Sequence, residues 1–558
     1  MPSRAGAHAG WRRRQSRPGG RVLLPGGATP VRSHSSPLAL STERTPSLKP
    51  INDVDTVRPL VFVFPPVAAR IDSASRRCSM PCGATATTEG SARMDSQQTS
   101  RFRGKRIHFI GVAGCGMAGL ARMLLDNGAI VSGTDLRQTP QTEALRRHGA
   151  SISCAQDGTM LSPDIDLVVR SAAVADTNPE FARALQLGLP NLKYAELVGL
   201  VMKERFGVAV SGAHGKSTTT AMIAWALLQC GADPSFIIGG SVPQLGGSSR
   251  SGAGPAFVVE ACEFDRSFHN YWPRVAVITN IDAEHLDCYP GGMPEIIDSF
   301  RSFAGRVPPE GRIIANGTDQ RVRRAVEGLP AMVEYAGLEE SPSLVWSTRV
   351  TGITDGCYSG ILHHYGKAAA EIRLSIAGEH NLFNATLAVA ACCACGISAA
   401  AAAEAIGRFT GVERRMSVVG TFRGATVVDD YGHHPTEIRA TLKAIRERFR
   451  PHRLICVFQP HQYSRTRLLL DEFGRSFADA DLTILPDIYP ARDTDYDRRS
   501  VTATDVVERI RKNGAQAMYL APLPAIAEYL SHFACDGDII VTMGAGNIHE
   551  LGTLLLST

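Results

Sequence analysis

Apolar residues in this chain recur as short runs, each followed by a glycine-bearing turn and then a stretch with helical spacing. "RIHFIGVAGCGMAGLARMLLDNGAIVSGTD" opens the pattern near residue 105. Apolar runs bounded by glycine predict buried strands, and three-to-four-residue spacing predicts helices. Strands alternating with helices predict parallel sheets covered by helices. The pattern divides the body into residues 103–202, 203–410 and 411–558. In the last segment "ATVVDDY", "RLICVF", "LTILPDIY", "AQAMYLA" and "DIIVTMG" read as strands, and "PTEIRATLKAIRERF" reads as a helix. The expected fold class is α/β with three domains.

One stretch, "ATLAVAACCACGISAAAAA" at 385–403, is long enough to cross a bilayer. It consists mostly of alanine and other small residues. Gly396 reads as a helix end and Ser398 as the next N-cap, so two short buried helices are expected rather than a membrane span.

Residues 1–102 break the pattern. Of these, residues 1–100 hold 14 Lys+Arg against 6 Asp+Glu and are rich in Ser, Pro, Gly and Ala. That composition predicts a disordered extension. A targeting segment and a regulatory tail both fit; Met94, just before the first convincing strand, favours a start codon placed too far upstream. The remainder holds 45 basic and 48 acidic residues, which gives no nucleic-acid footprint. Thirteen scattered cysteines in a 558-residue chain argue against a disulfide framework and for a reduced, cytoplasmic setting. The C-x-x-C pair Cys392 and Cys395 lies in an apolar helix and reads as core.

"SGAHGKSTTT" at 211–220 ends in Gly-Lys-Ser, as a phosphate loop does. The usual G-x-x-x-x-G-K-[ST] spacing would put glycine at Val210. Here the first glycine is Gly212, so the loop is two residues short. If it holds phosphate, Lys216 reaches the terminal phosphates, Ser217 ligates Mg²⁺, and Thr218, Thr219 and Thr220 add donors at the helix start. "AFVVEACEFD" leads a strand into Glu260 and Glu263. "VAVITNIDAEHLDCY" places Asn280, Asp282, Glu284, His285 and Asp287 after another strand. Parallel strands converge on one sheet edge, so Lys216, Ser217, Glu260 and His285 are expected to face one site.

Three further stretches carry chemistry. Gly111, Gly114 and Gly116 fill a strand-to-helix turn, with Asp135 ending the next strand. A dinucleotide site and a ligand-free tight turn both fit. "GEHNLFNA" sets His380, Asn381 and Asn384 at a helix start, suited to a purine or a capping role. "VVDDYGHHPTE" packs Asp429, Asp430, Tyr431, His433 and His434 before a helix, and "FQPHQYSRTR" adds His461, Arg465 and Arg467. A zinc site is conceivable from the His pair and the carboxylates, but no third spaced His or Cys ligand is evident.

As an ordered set, "HFIGVAGCGMAGLA", "VSGTD", "RSAAV", "SGAHGKSTTT", "EACEFDRSF", "TNIDAEHLDCY", "GEHNLFNA", "ERR", "VDDYGHHPTE", "FQPHQYSRTR" and "MGAGNI" resemble the Mur ligase family over residues 105 to about 550. The resemblance implies a Rossmann-like N-terminal domain, a central P-loop-type ATPase domain and a Rossmann-like C-terminal domain. It accounts for the short loop, which in this family reads G-x-x-G-K-[ST]. It implies ATP-dependent amide formation between the lactyl carboxylate of UDP-N-acetylmuramate and L-alanine, with Mg²⁺, and neither a nucleic-acid nor a membrane partner.

Carried onto matching positions, the resemblance gives the nucleotide Gly212, Ala213, His214, Gly215, Lys216, Ser217, Thr218, Asn381, Asn384, Arg415 and Asp429. One Mg²⁺ falls to Ser217 and Glu260, with Glu263 a rival for Glu260, and a second, near the acyl phosphate, falls to His285. Gly111, Gly114, Gly116, Met117, Asp135 and Ser171 line the UDP-sugar site. Tyr431, His433 and Arg465 line the alanine site, and Lys216, His285, His433 and Arg465 carry the chemistry. Three positions depart from the family pattern. Ser217 replaces the commoner threonine, Cys115 sits inside the glycine turn, and Gln462 lies where relatives often carry arginine.

Overall fold

The computed structural model describes residues 100–557. The expectations for the N-terminal extension lie almost wholly outside the described residues. Three sheets organise the rest, in chain order.

The first sheet has five parallel strands, with Arg106–Ile110 in the middle. It is flanked by Ile130–Thr134 and Leu167–Arg170, and Ser151–Ser153 and Asn191–Lys193 form the edges. Helix starts follow local chemistry. Thr139 accepts from the Thr142 N–H and Pro140 takes the first helical position; Asn178 caps the next helix ahead of Pro179.

The central sheet has ten strands. Its core is parallel and includes Phe206–Ser211, Ala256–Glu260, Val275–Ile278 and Arg312–Asn316. These strands are covered on both faces, so they read as unbroken apolar runs. Helices Lys216–Gln229 and Glu379–Ala394 pack side by side, and both are buried on nearly all sides. The long apolar stretch is two helices, as its punctuation predicts. Glu379–Ala394 ends before Gly396 at φ +87°, and Ala399–Gly407 starts on Ser398, which accepts the Ala401 N–H. Cys392 and Cys395 lie in the core.

Expectation and structure differ at both edges of this sheet: Ser235–Ile237 and Ser249–Arg250 pair antiparallel at one, and three strands do so at the other. Trp346–Thr354, Cys357–His364 and Lys367–Ala377 run antiparallel. The two turns between them, Asp355-Gly356 and Tyr365-Gly366, hold positive φ at both residues. That geometry matches the right-handed twist of hairpin strands. An all-parallel reading overlooks these two-residue turn signals.

The third sheet runs Ser417–Phe422, Ala425–Asp430, Ile539–Met543, Leu454–Phe458, Leu482–Leu485 and Ala517–Tyr519. All of its pairs are parallel except the first, a hairpin turning at Arg423-Gly424. The helix Pro435–Phe449 coincides with the stretch expected from the sequence. Among the described residues, no helix is long and apolar enough to cross a membrane.

The first and central sheets meet where helix Tyr194–Lys203 lies on the segment Phe264–Asn270. Gly199 makes that approach possible. A Cβ there would stand 2.0 Å from the Asn270 carbonyl oxygen, a backbone atom that cannot step aside cheaply. Gly199→Ala is therefore expected to destabilise the protein by about 1–3 kcal/mol. Gly352→Ala, where a Cβ meets nothing within 4 Å, is expected to be nearly neutral. Urea unfolding of the two variants checks the contrast.

Candidate active site

The strand Phe206–Ser211 delivers the chain into the loop 212–215, and Lys216 begins a helix behind Gly215. Gly212 holds φ +140° and Gly215 φ +81°. A Cβ on Gly212 would meet Thr279 Oγ1 at 2.0 Å, and one on Gly215 would meet Asn384 Oδ1 at 2.6 Å. Both positions demand glycine by backbone angle and by space. The loop is tied to the end of the neighbouring strand. Asn280 Oδ1 accepts the His214 N–H at 2.9 Å, Asn280 Nδ2 donates to the His214 carbonyl at 3.0 Å, and Thr279 Oγ1 donates to the same carbonyl at 2.6 Å.

Lys216 and Ser217 face two different carboxylates. Lys216 Nζ donates to both Glu263 oxygens at 3.0 and 3.1 Å and to the Ala213 carbonyl at 3.0 Å. Burial opposes the ammonium, but the Glu263 charge outweighs it and holds the lysine above its usual range. Ser217 Oγ donates to Glu260 Oε2 at 2.8 Å, which also takes the Gly239 N–H at 2.9 Å. His285 lies 4.0 Å from Glu263 and against the Phe264 ring. Burial pushes it down to about 4, so its ring is neutral at pH 7. Its buried Nδ1 has no hydrogen-bond partner. A hydroxyl, a carboxylate and an unpartnered imidazole nitrogen on one sheet edge fit a divalent cation beside phosphate.

A cavity of about 580 Å³ opens beside the loop. Gly215, Ser217, Thr218, Asn381, Asn384 and Arg415 line it, together with His380, Asp430 and Glu437. Across it, the third sheet supplies a charged cluster. Glu437 bonds Arg415 at 3.2 Å and the His433 N–H at 3.0 Å. Buried Arg465 donates to buried Glu284 at 2.9 Å, and His433 stands 3.9 Å from the same carboxylate. Burial pushes His433 down to about 4.

Three family models match the chain in order. They are the Mur ligase family, catalytic domain at 106–206, the Mur ligase middle domain at 210–392, and the Mur ligase, glutamate ligase domain at 414–546. A UDP-N-acetylmuramate–L-alanine ligase of Caldanaerobacter subterraneus subsp. tengcongensis is 41% identical over 455 residues, which is 81% of this chain and 97% of that relative. The chain belongs to the Mur ligase family.

The same-named ligase of Geobacter sulfurreducens is 39% identical over 454 residues, 81% of this chain and 97% of that relative. Among solved structures, UDP-N-acetylmuramate-alanine ligase MurC from Thermotoga maritima superposes with a TM-score of 0.67 at 25% identity, over 81% of this chain and 98% of that one. A murein peptide ligase from Psychrobacter arcticus gives 0.62 at 25% identity, over 81% and 98%.

Several residues assigned through the family resemblance sit elsewhere. Asp429 is outside the cavity; it accepts from Arg414 at 2.9 Å and from Thr542 Oγ1 at 2.9 Å. Its neighbour Asp430 lines the cavity, because successive strand residues face opposite sides. Of the three threonines only Thr218 reaches the cavity; Thr219 and Thr220 are buried, and Thr220 bonds the Lys216 carbonyl. Successive helical residues point about 100° apart, which turns Thr219 and Thr220 into the core.

In the glycine turn, Met117 is core. Asp135 accepts the Ala113 and Arg137 N–H groups at 2.9 and 3.1 Å, so it holds the turn itself. Ser171 lies 3.1 Å from where a Gly111 Cβ would be, and the Tyr194 hydroxyl lies 2.6 Å from one on Gly116. Gly114 caps the helix Cys115–Asp126 without a side chain, and Cys115 is exposed. Tyr431 lies between Arg414 and Arg415, 5.0 and 5.4 Å from its ring. Gln462 is buried, bonds Ser464 Oγ at 2.7 Å, and leaves its Oε1 without a partner.

Sequence reasoning gave no role to Asn280, Asp282, Glu284 or Glu437. For the first three the signal was their position after a strand that ends at the site. Glu437 had only its place in the first turn of a helix.

His214 carries the clearest pH signature. Burial works against its charge, but Asp282 at 3.2 Å and Glu437 at 3.6 Å win and raise it to about 9. Charge on His214 therefore stabilises the fold fully below pH ~6.5, the unfolded value, and the contribution disappears as pH rises through about 9. Between pH 6.5 and 9.5 the native protein is expected to lose ~1–3 kcal/mol more stability than His214→Gln. Urea unfolding across that range measures it.

Proposed function

We propose that this chain joins L-alanine to the lactyl carboxylate of UDP-N-acetylmuramate, converting ATP to ADP and phosphate through an acyl phosphate. The observation that carries this reading is the facing pair of clusters. Lys216, Ser217, Glu260 and His285 stand at one sheet edge, and Arg465 and His433 come to meet them from the third sheet. The names of relatives matched over nearly their whole length support the choice of substrates.

A carboxylate cannot acylate an amine directly, since oxide is a poor leaving group. Moving the γ-phosphoryl group onto it creates a leaving group, and the amine then expels phosphate through a tetrahedral intermediate. Each stage concentrates negative charge, so catalysis is chiefly positioning and charge stabilisation. Lys216 exchanges Glu263 for phosphate oxygens and follows the charge during transfer. Backbone N–H groups at the start of the Lys216–Gln229 helix face the same phosphates. Ser217, Glu260 and His285 are the residues that would hold Mg²⁺, which supplies further neutralisation of the phosphoryl oxygens.

Asn381, Asn384 and Arg415 line the space for the rest of the nucleotide. Arg465, fixed by Glu284, is the cation for the alanine carboxylate, and uncharged His433, 3.9 Å from the same glutamate, lines the site beside it. The glycine turn around Gly111, Gly114 and Gly116 takes the UDP diphosphate at its helix N-terminus.

The division 103–202, 203–410 and 411–558 follows as UDP-sugar, ATP and amino-acid domains. We place the reaction in the cytoplasm, where ATP and UDP-sugars are made; eleven free cysteines among the described residues suit that setting.

Phosphate release in the presence of ATP, Mg²⁺ and UDP-N-acetylmuramate tests the reading. Release is expected only when L-alanine is added. Release without it, none at all, or release driven only by an alanyl-glutamyl-diaminopimelate tripeptide each rejects the assignment. Lys216→Ala is expected to lower kcat by about 10³-fold or more while circular dichroism stays native.

A further inference from the structure

The sequence suggests a metal site on the adjacent His433 and His434, but the fold separates that pair and sets His434 beside a histidine of the phosphate loop. His214 lies beside His434, ring centres 4.7 Å apart. Asp282, from the strand end between them, places Oδ2 3.2 Å from His214 Nε2 and 3.7 Å from His434 Nδ1. One ligand atom from each residue falls within a 4.8 Å set. Donors around a tetrahedral ion with bonds of 2.0–2.1 Å stand about 3.4 Å apart, close to the two measured edges.

The geometry points to a binding site for a zinc-class divalent transition metal, held by His214, Asp282 and His434 and separate from the Mg²⁺ site at Ser217, Glu260 and His285. Two observations beyond the cluster support it. His214 Nδ1, the nitrogen left over, faces Glu437 at 3.6 Å. A carboxylate behind a ligating imidazole is the arrangement that orients histidine on a metal. Asp282 already anchors its other oxygen on the Ala283 N–H and Arg321, so Oδ2 is the one presented to the histidines.

Thr436 fills part of this space. Its N–H donates to His434 Nδ1 and its hydroxyl to Asp282 Oδ2; the ion would replace both bonds and the proton that His214 Nε2 shares with Asp282 Oδ2, so its binding releases a proton. Two imidazoles select against Mg²⁺, which prefers oxygen ligands. A bound ion would tie the phosphate loop to the start of the Pro435–Phe449 helix, and so the central layer to the third.

Co²⁺ titration of the whole protein in excess Mg²⁺ tests this, with the visible absorption of tetrahedral cobalt as the readout. We expect one tight site per chain, lost in His214→Ala and in His434→Ala. Affinity should be about 10–100-fold weaker in Glu437→Gln. His434→Cys is expected to restore the site with an added thiolate charge-transfer band, which no purely structural role would produce. Absence of tetrahedral absorption in the native protein overturns the proposal. So does absorption that survives both alanine variants, or absorption lost on His285→Ala instead.

Discussion

The site depends on how the phosphate loop is held by a strand that is not its own. Asn280 grips His214 through both its amide oxygen and its amide nitrogen, and Gly212 fits against Thr279 with no room for a side chain. The loop, two residues shorter than the usual phosphate loop, takes these contacts from the end of the Val275–Ile278 strand. The same strand end continues into Asp282, Glu284 and His285. A single register between Phe206–Ser211 and Val275–Ile278 therefore sets the lysine, the serine and the histidine relative to one another.

That arrangement would leave many like charges facing one another if each were not answered. Lys216 is answered by Glu263, Arg465 by Glu284, and Arg415 and His214 by Glu437. Buried charges persist only when paired and hydrogen-bonded. On the proposed function, these glutamates stand where phosphate and carboxylate oxygens would meet the same cations. Binding then exchanges one anion for another, instead of stripping water from a bare ammonium. The pairing also crosses layers. Glu284 belongs to the central sheet and Arg465 to the third, so the charges of the site help to hold its two halves together.

How far the sequence could be read depended on whether the signal was local. Strand and helix alternation, the break at Gly396 and Ser398, and the helix Pro435–Phe449 were all legible, since each rests on residues close in sequence. The convergence of Lys216, Ser217, Glu260 and His285 was legible too, because parallel strands end on one edge. Pairwise choices were not. Nothing local says that Lys216 pairs with Glu263 while Ser217 takes Glu260. Asp429 and Asp430 look equivalent in sequence, yet strand pleating sends one to Arg414 and Thr542 and the other to the cavity. His214 and Asp282 join His434 across more than 150 residues, a proximity that only the packing of the third sheet on the second creates.

The chemistry explains why the third sheet must come so close. An acyl phosphate is as open to water as to an amine, and rate alone cannot favour alanine when water is far more concentrated. Selectivity has to come from geometry: a pocket that forms with the amine in place and closes on little else. Arg465 and His433 reach the His285 loop only because the Leu454–Phe458 and Ala425–Asp430 strands point their ends at the central sheet's edge. Glu284 accepts from the Arg465 guanidinium, and Glu437 accepts the His433 backbone N–H and stands 3.4 Å from its ring. On the proposed function, the amino acid meets a cation already held by Glu284 and a neutral imidazole.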